Sequence, residues 1–205
     1  MITDNNRHNL QKALETFLKK EDSFKLAPLL LKALNSGNLT YKEAEDLLAE
    51  DPEDMLILSY QWRLLLPLRA AKAGDWEDRM MLPQPGETYH LPNVARHLIA
   101  HAASTGRWDP EKAIKEVFGA IGEPDIDKMV PLVEGIASQT RSHRVTGLAI
   151  VQVCKDLKLA DRVDPLVSEL KACGILSHKL GALNEATRAG TMLYEINPSL
   201  LVGSN

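Results

Sequence analysis

The sequence predicts a mainly α-helical protein of two similar units, each three helices followed by a β-hairpin, joined by two connecting helices. Three observations predict it. Residues 166–198 spell a short helix stopped by Gly174, a brief apolar strand at Ile175 and Leu176, a polar loop, and a returning strand from Met192 to Ile196 that ends before Pro198. Residues 64–93 run similarly: Gly86 and Pro92 bracket Tyr89 as Gly190 and Pro198 bracket Tyr194, although the second stretch is two residues longer. Repetition on this scale points to one supersecondary unit used twice. Elsewhere, apolar residues recur at the spacing of amphipathic helices.

The elements follow in order. Leu10, Leu14, Phe17 and Leu18 share one helical face, so residues 6–20 read as a helix, broken at Glu21, Asp22 and Ser23. Leu26, Leu29, Leu30, Ala33 and Leu34 make a second helix, closed by Gly37. Thr40 and Glu43 form a capping box that opens a third, with Ala44, Leu47 and Leu48 on its face. Asp51 and Pro52 start a helix so apolar, from Met55 to Leu65, that it must be buried nearly all round. Pro67 kinks or ends it.

From Trp76 to Leu91 the short apolar runs around Pro83, Pro85 and Gly86 signal a hairpin. Helices then run from Asn93 to about Ala103 and from Asp109 to Phe118, the two connectors. Helix resumes at Asp127 with Met129, Leu132, Val133 and Ile136 on one face. A break from Ser142 to Thr146 leads into a helix carrying Ile150, Val153, Cys154 and Leu157. A second break, Lys158 to Asp161, leads into a helix capped at Asp164, with Leu166, Leu170 and Cys173 inward and Gly174 as its left-handed stop. The boundaries are 1–92, 93–126 and 127–205.

With 205 residues, 44% of them hydrophobic, the chain has material for two cores. A net charge of -4 exerts no global pull on nucleic acid. The balance is uneven: residues 1–126 carry 15 Lys and Arg against 20 Asp and Glu, residues 127–205 carry 9 against 8. Phosphates are therefore better met by the C-terminal half. Two cysteines inside apolar helices, no secretory layout at the N-terminus and no run long enough for a bilayer predict a soluble cytoplasmic protein.

The helix-to-strand junction from Leu170 to Leu176 and the return strand from Met192 to Ile196 resemble the winged helix-turn-helix domains of microbial transcription regulators. The resemblance covers roughly 127–198, and more faintly 25–93, where Gly37 to Ala44 looks like the passage from first to second helix. It implies two winged-helix units. It also implies double-stranded DNA as a partner, the third helix entering the major groove and the wing gripping the backbone.

On this sequence the third helix is Asp164 to Cys173. Only Ser168 and Lys171 on its outer side have the chemistry to reach base edges. Arg141, Arg144, Lys155, Lys158 and Arg162 lie around the second helix, with His178, Lys179 and Arg188 on the wing, as candidate phosphate contacts. A solvated, salt-bridged surface accounts for the same cations. In the N-terminal unit the equivalent helix opens with Asp51, Glu53 and Asp54, which repel phosphate. Its apolar remainder suits packing or an interface.

The expected function is a non-enzymatic, DNA-binding regulatory protein. The alternative is a protein-interaction module using winged-helix units as packing blocks, which explains the acidic N-terminal half better. A third reading places a divalent metal at His90, His97 and His101, the last two sharing a helical face. No phosphate-cradling loop, dinucleotide fingerprint or nucleophile elbow occurs, and no cofactor is expected. A homodimer is expected, with Leu10, Leu14, Phe17 and Leu18 pairing across a two-fold axis. The same face folded back on its own chain is the other possibility.

Overall fold

Thr40 and Thr146 each end a short strand and begin a helix, and this shared turn organises the two halves of the chain. Both hydroxyls accept from the amide three residues on, Glu43 N and Ala149 N. At Thr40 the expected capping box is complete, because its own amide donates back to the Glu43 carboxylate at 2.9 Å. That amide, with the Lys32 ammonium 3.0 Å away, holds the Glu43 carboxyl down at about 2.

The computed structural model describes residues 4–48, 50–68, 76, 83–179 and 190–203. Among them the order is α1 (Asp4–Leu14), α2 (Lys20–Ser36), β1 (Asn38–Thr40), α3 (Tyr41–Leu47), α4 (Pro52–Gln61), β2 (Leu66–Pro67) and β3 (Thr88–His90). Then come α5 (Asn93–Thr105), α6 (Pro110–Ile121), α7 (Ile126–Ser138), β4 (Arg144–Thr146), α8 (Gly147–Asp156), α9 (Val163–Ala172), β5 (Leu176–His178) and β6 (Leu193–Ile196). Short 3-10 turns occupy Ala160–Arg162 and Pro198–Leu200. The chain is mainly α, with two small antiparallel sheets ordered β1-β3-β2 and β4-β6-β5.

Several expectations need correction. The sheets have three strands, not two: the passage at Asn38–Thr40 and the break before Thr146 are strands that pair with β3 and β6. The first helix ends at Leu14 rather than residue 20. Helix α4 stops at Gln61, well short of Leu65, because Arg63 takes a left-handed φ of 52° and Leu64 N turns back to Ser59 O. Leu64 and Leu65 then drop into the core, and Pro67 sits on an edge strand, where a missing N–H is tolerated. Asp51 is no side-chain cap; its carboxylate meets Lys25 at 3.3 Å. Helix α9 begins at Val163, one residue before the expected cap. Residues 77–82 of the expected first hairpin and the tip of the second lie outside the described residues.

The repeat is deeper than the hairpins that first signalled it. Helices α2 and α7 align as Lys25, Leu26, Ala27, Pro28, Leu29, Leu30 over Lys128, Met129, Val130, Pro131, Leu132, Val133, with both prolines inside their helices. The strand registers match as well, Leu39 opposite Tyr89 and Val145 opposite Tyr194. The third helices stop at matching left-handed residues, Arg63 and Gly174, and left-handed Gly86 and Gly190 precede the return strands. Each copy is thus a helix pair, a strand, two helices and two strands.

Two apolar cores follow, and the first expected connector belongs to both. Ala95, Ile99, Ala102 and Ala103 of α5 face the N-terminal core; Val94 and Leu98, turned around the same helix, face the C-terminal one. The second connector, α6, buries Ile114, Val117 and Phe118 in the C-terminal core. Helix α1 lies on α2 and α5, with Leu10, Ala13 and Leu14 fully buried. The Asn9 amide donates to the Ala103 and Ser104 carbonyls at the end of α5, groups a helix terminus leaves without partners. Phe17 sits 4.5 Å from the Trp62 ring and 5.0 Å from Trp108. Of the four residues expected to pair across a two-fold axis, Leu10 and Leu14 are buried within the chain and Phe17 and Leu18 partly so.

The halves are joined by polar contacts as well as apolar ones. The Arg63 guanidinium reaches the Glu195 carboxylate at 2.7 Å, both residues under 10% exposed. Val94 N and the Asn93 side chain at the start of α5 donate to the Cys173 and Ala172 carbonyls at the end of α9. One helix's unpaired donors thereby satisfy another's unpaired acceptors. The Asn197 amide bridges the Arg63 and Gly174 carbonyls, the two matching helix stops.

Candidate functional site

The outer side of the C-terminal unit is where the sequence placed its DNA contacts. Here α8, α9 and the β5–β6 pair enclose a groove of about 360 Å³. Leu148 and Val151 from α8, Val163 and Val167 from α9, and Met192 and Tyr194 beside the sheet give its apolar lining, with Asp164, Ser168, Lys171, His178 and Thr191 as the polar part. Leu148 is 62% exposed and Met192 54%. Ile150 and Cys154 anchor α8 from its opposite face, which leaves Leu148 and Val151 outward.

The ten expected contacts divide. Ser168 and Lys171 line the groove, Lys171 Nζ lying 3.1 Å from His178 Nδ1, and the His178 ring packs 4.9 Å from Tyr194. The Ser168 hydroxyl donates to Asp164 O within its own helix. Arg141 is exposed on a turn whose backbone it closes by reciprocal bonds with Arg144, itself half-buried at the start of β4. Lys155 is exposed in the last turn of α8, and Lys158 on the left-handed turn after it. Arg188 lies outside the described residues.

Two of the expected cations each neutralise a buried acid. Arg162 grips both oxygens of Glu123 at 2.7 and 2.8 Å and reaches Asp125 at 2.8 Å. Lys179 holds Glu195 at 3.1 Å with 11% of its side chain exposed. A guanidinium or ammonium so engaged already has part of its charge neutralised when it meets phosphate.

Around Arg162 the acids titrate apart. Its guanidinium holds the Glu123 carboxyl down at about 2, whereas burial and the neighbouring Glu123 push Glu169 up. Cys173, also raised to about 11, owes that first to burial and then to the Glu169 charge. The depressed Glu123 stabilises the fold above its unfolded pKa, and that contribution is lost as pH falls toward 2. The raised Glu169 acts oppositely: its contribution is complete below its unfolded pKa and is lost as pH rises through the folded value. Glu169→Gln, which keeps a donor beside Glu123 without the charge, is expected to melt higher than the parent at pH 8, with a smaller gain near pH 4. Melting curves across that range check this; a gain that does not grow with pH contradicts it.

The histidines do not assemble. His97 Nδ1 meets Glu116 at 3.2 Å, His101 Nε2 lies 3.8 Å from Asp109, and His90 is in β3, where burial lowers its pKa. Among the described residues no group of three or more His, Cys, Asp or Glu could hold a metal ion. Nor is any described helix long and apolar enough to cross a membrane.

What sequence reading missed is the apolar groove. A signal for it existed: Leu148 and Val151 lie off the inward stripe of Ile150, Val153 and Cys154, so α8 is apolar on two sides.

In architecture the molecule is a duplicated α-helical protein with a small three-stranded sheet in each half. The chain belongs to a protein family whose model matches residues 8–204. No curated protein and no solved structure matches it.

Proposed function

We propose that the protein is a non-enzymatic interaction module of two winged-helix units, with the C-terminal unit offering its α8–α9 groove to an apolar segment of a partner protein. The order helix, strand, helix, helix, strand, strand, with the returning strand central in each sheet, supports the winged-helix reading. The observation that carries the function is the chemistry of the groove. Where a DNA reader presents cations and amides to base edges, this unit exposes Leu148 and Met192 beside Val151, Val163 and Val167. Exposed apolar surface in a concave face is the usual mark of a protein contact.

DNA binding by the same unit is the second reading, favoured by the exposed Arg141, Lys155 and Lys158. Fluorescence anisotropy with a mixed-sequence duplex separates the two. Phosphate neutralisation gives binding that falls steeply between about 50 and 200 mM salt. The interaction reading expects no saturable binding at the lower salt. It also expects native protein to enhance anilinonaphthalene sulfonate fluorescence, and Leu148→Asp with Met192→Asp to abolish most of that signal. Tight, salt-sensitive duplex binding would return DNA to first place.

A further inference from the structure

A second cleft, of about 740 Å³, lies on the same half but away from the α8–α9 groove. It runs between the first turn of α6, one face of α7 and the segment after β6. Ile114, Val130, Val133, Ala137 and Leu200 form its floor. Asp109, Glu111 and Glu134 line it against a single cation, Arg107.

The internal repeat shows what such a cleft holds. The aligned prolines place α7 over α2, so that Val130, Val133, Glu134 and Ala137 match Ala27, Leu30, Leu31 and Leu34. The buried pattern of Ile114 and Phe118 on α6 likewise matches Leu10 and Leu14 on α1. In the N-terminal half, the chain leaves β3 and forms α5, thirteen residues that pack across both α1 and α2. In the C-terminal half, the described residues after β6 are the 3-10 turn Pro198–Leu200 and Leu201–Gly203 along the cleft's edge. Among the described residues, nothing fills in this copy the seat that α5 fills in the other. The residue match records the difference: Leu31 is buried at 2%, whereas Glu134 faces solvent.

We infer that this cleft is the docking seat for an amphipathic helix of a partner protein, with a small apolar face and a basic flank. The apolar face is the counterpart of Ala95, Ile99, Ala102 and Ala103, which α5 turns toward its own core. The basic flank follows from the three carboxylates against one guanidinium at the cleft. Helix α5 has the same character, since Arg96, His97 and His101 are its ionisable residues and it carries no acid. A helix laid into a groove, read through residues three and four apart, is a common recognition mode.

The probe is a labelled peptide with the α5 sequence, Pro92 to Gly106, followed by anisotropy on the whole protein. Saturable binding is expected, weakened about tenfold or more by Ala137→Glu, which puts a charged side chain on the apolar floor. Ala137 is half-buried, so a second variant guards against misfolding. Glu111→Lys with Glu134→Lys, both exposed, is expected to weaken binding about fivefold, and a peptide bearing Arg96→Glu and His97→Glu should bind less well than its parent. This inference shares the interaction reading but names another surface. Leu148→Asp in the α8–α9 groove is therefore expected to leave peptide affinity unchanged, and the two sites stand or fall separately. No saturation by about 1 mM peptide, or affinity indifferent to Ala137→Glu, overturns the seat. Equal affinity for the basic and acidic peptides overturns the basic flank.

Discussion

Glu195→Ala is expected to cost about 3–5 kcal/mol of folding stability, the range for breaking a buried ion pair by removing one partner. Against a typical total of about 5–15 kcal/mol, that is a large share. Glu195 sits in the central strand β6 and takes Arg63 at 2.7 Å and Lys179 at 3.1 Å, with only 11% of its side chain exposed. Its removal leaves two cations in a site that water hardly reaches. Arg63→Ala is the informative comparison. It leaves Glu195 still paired with Lys179, and it gives up the Arg63 contacts to the Tyr60 and Trp76 rings, whose centroids lie 4.3 and 5.3 Å away. The expected order is a larger loss for Glu195→Ala than for Arg63→Ala. Denaturant midpoints with unchanged m-values give both numbers. A loss below about 1 kcal/mol for Glu195→Ala, or the reverse order, would show that the pair behaves like a solvated one.

That contact also shows where sequence reading stops. The helices were legible because burying one face imposes a three-to-four spacing, as Met129, Leu132, Val133 and Ile136 demonstrate. The glycine stop at 174 and the Thr40 box were legible because each is a local rule satisfied within a few residues. Strands β1 and β4 were not: three residues are too few to display an alternating pattern, and their pairing depends on β3 and β6, about 50 residues away in sequence. The repeat in α2 and α7 was hidden because half of the matched positions preserve apolar character rather than identity, as in Leu26 against Met129 and Ala27 against Val130.

The candidate site was legible in kind but not in detail. Arg162 and Lys179 were counted as available cations, since a list of charges does not disclose which acid each will neutralise. Glu123 and Glu195 supply those acids from 39 and 16 residues away. The apolar residues between the cations carried the better clue. A helix apolar on two faces needs something to cover the second one, and α8 has that character at Leu148 and Val151.

Gly174→Ala is expected to be the most disruptive methyl added at a described glycine, about 2–5 kcal/mol, from two additive causes. The φ of 75° at Gly174 lies in the left-handed region, where a side chain costs about 1–2 kcal/mol. A Cβ placed there would stand 2.6 Å from Pro92 Cβ and 3.5 Å from Pro92 Cα, and such overpacking typically costs about 1–3 kcal/mol. Pro92 cannot readily yield, because the next residues hold the joint between the halves through the Asn93 side chain and Val94 N. Gly190→Ala supplies the control: its φ of 64° is comparable, and an added Cβ meets nothing within 4 Å. It should show the conformational cost alone, about 1–2 kcal/mol. The repeat supplies a further contrast, since Arg63 occupies the position matching Gly174 with a side chain at φ 52°. A left-handed residue with a side chain is therefore accommodated at that stop, so the excess loss at Gly174 over Gly190 measures the closeness of the two halves. Thermal or denaturant unfolding of both glycine variants decides it. Equal losses at 174 and 190 would mean that the joint opens to admit a methyl group.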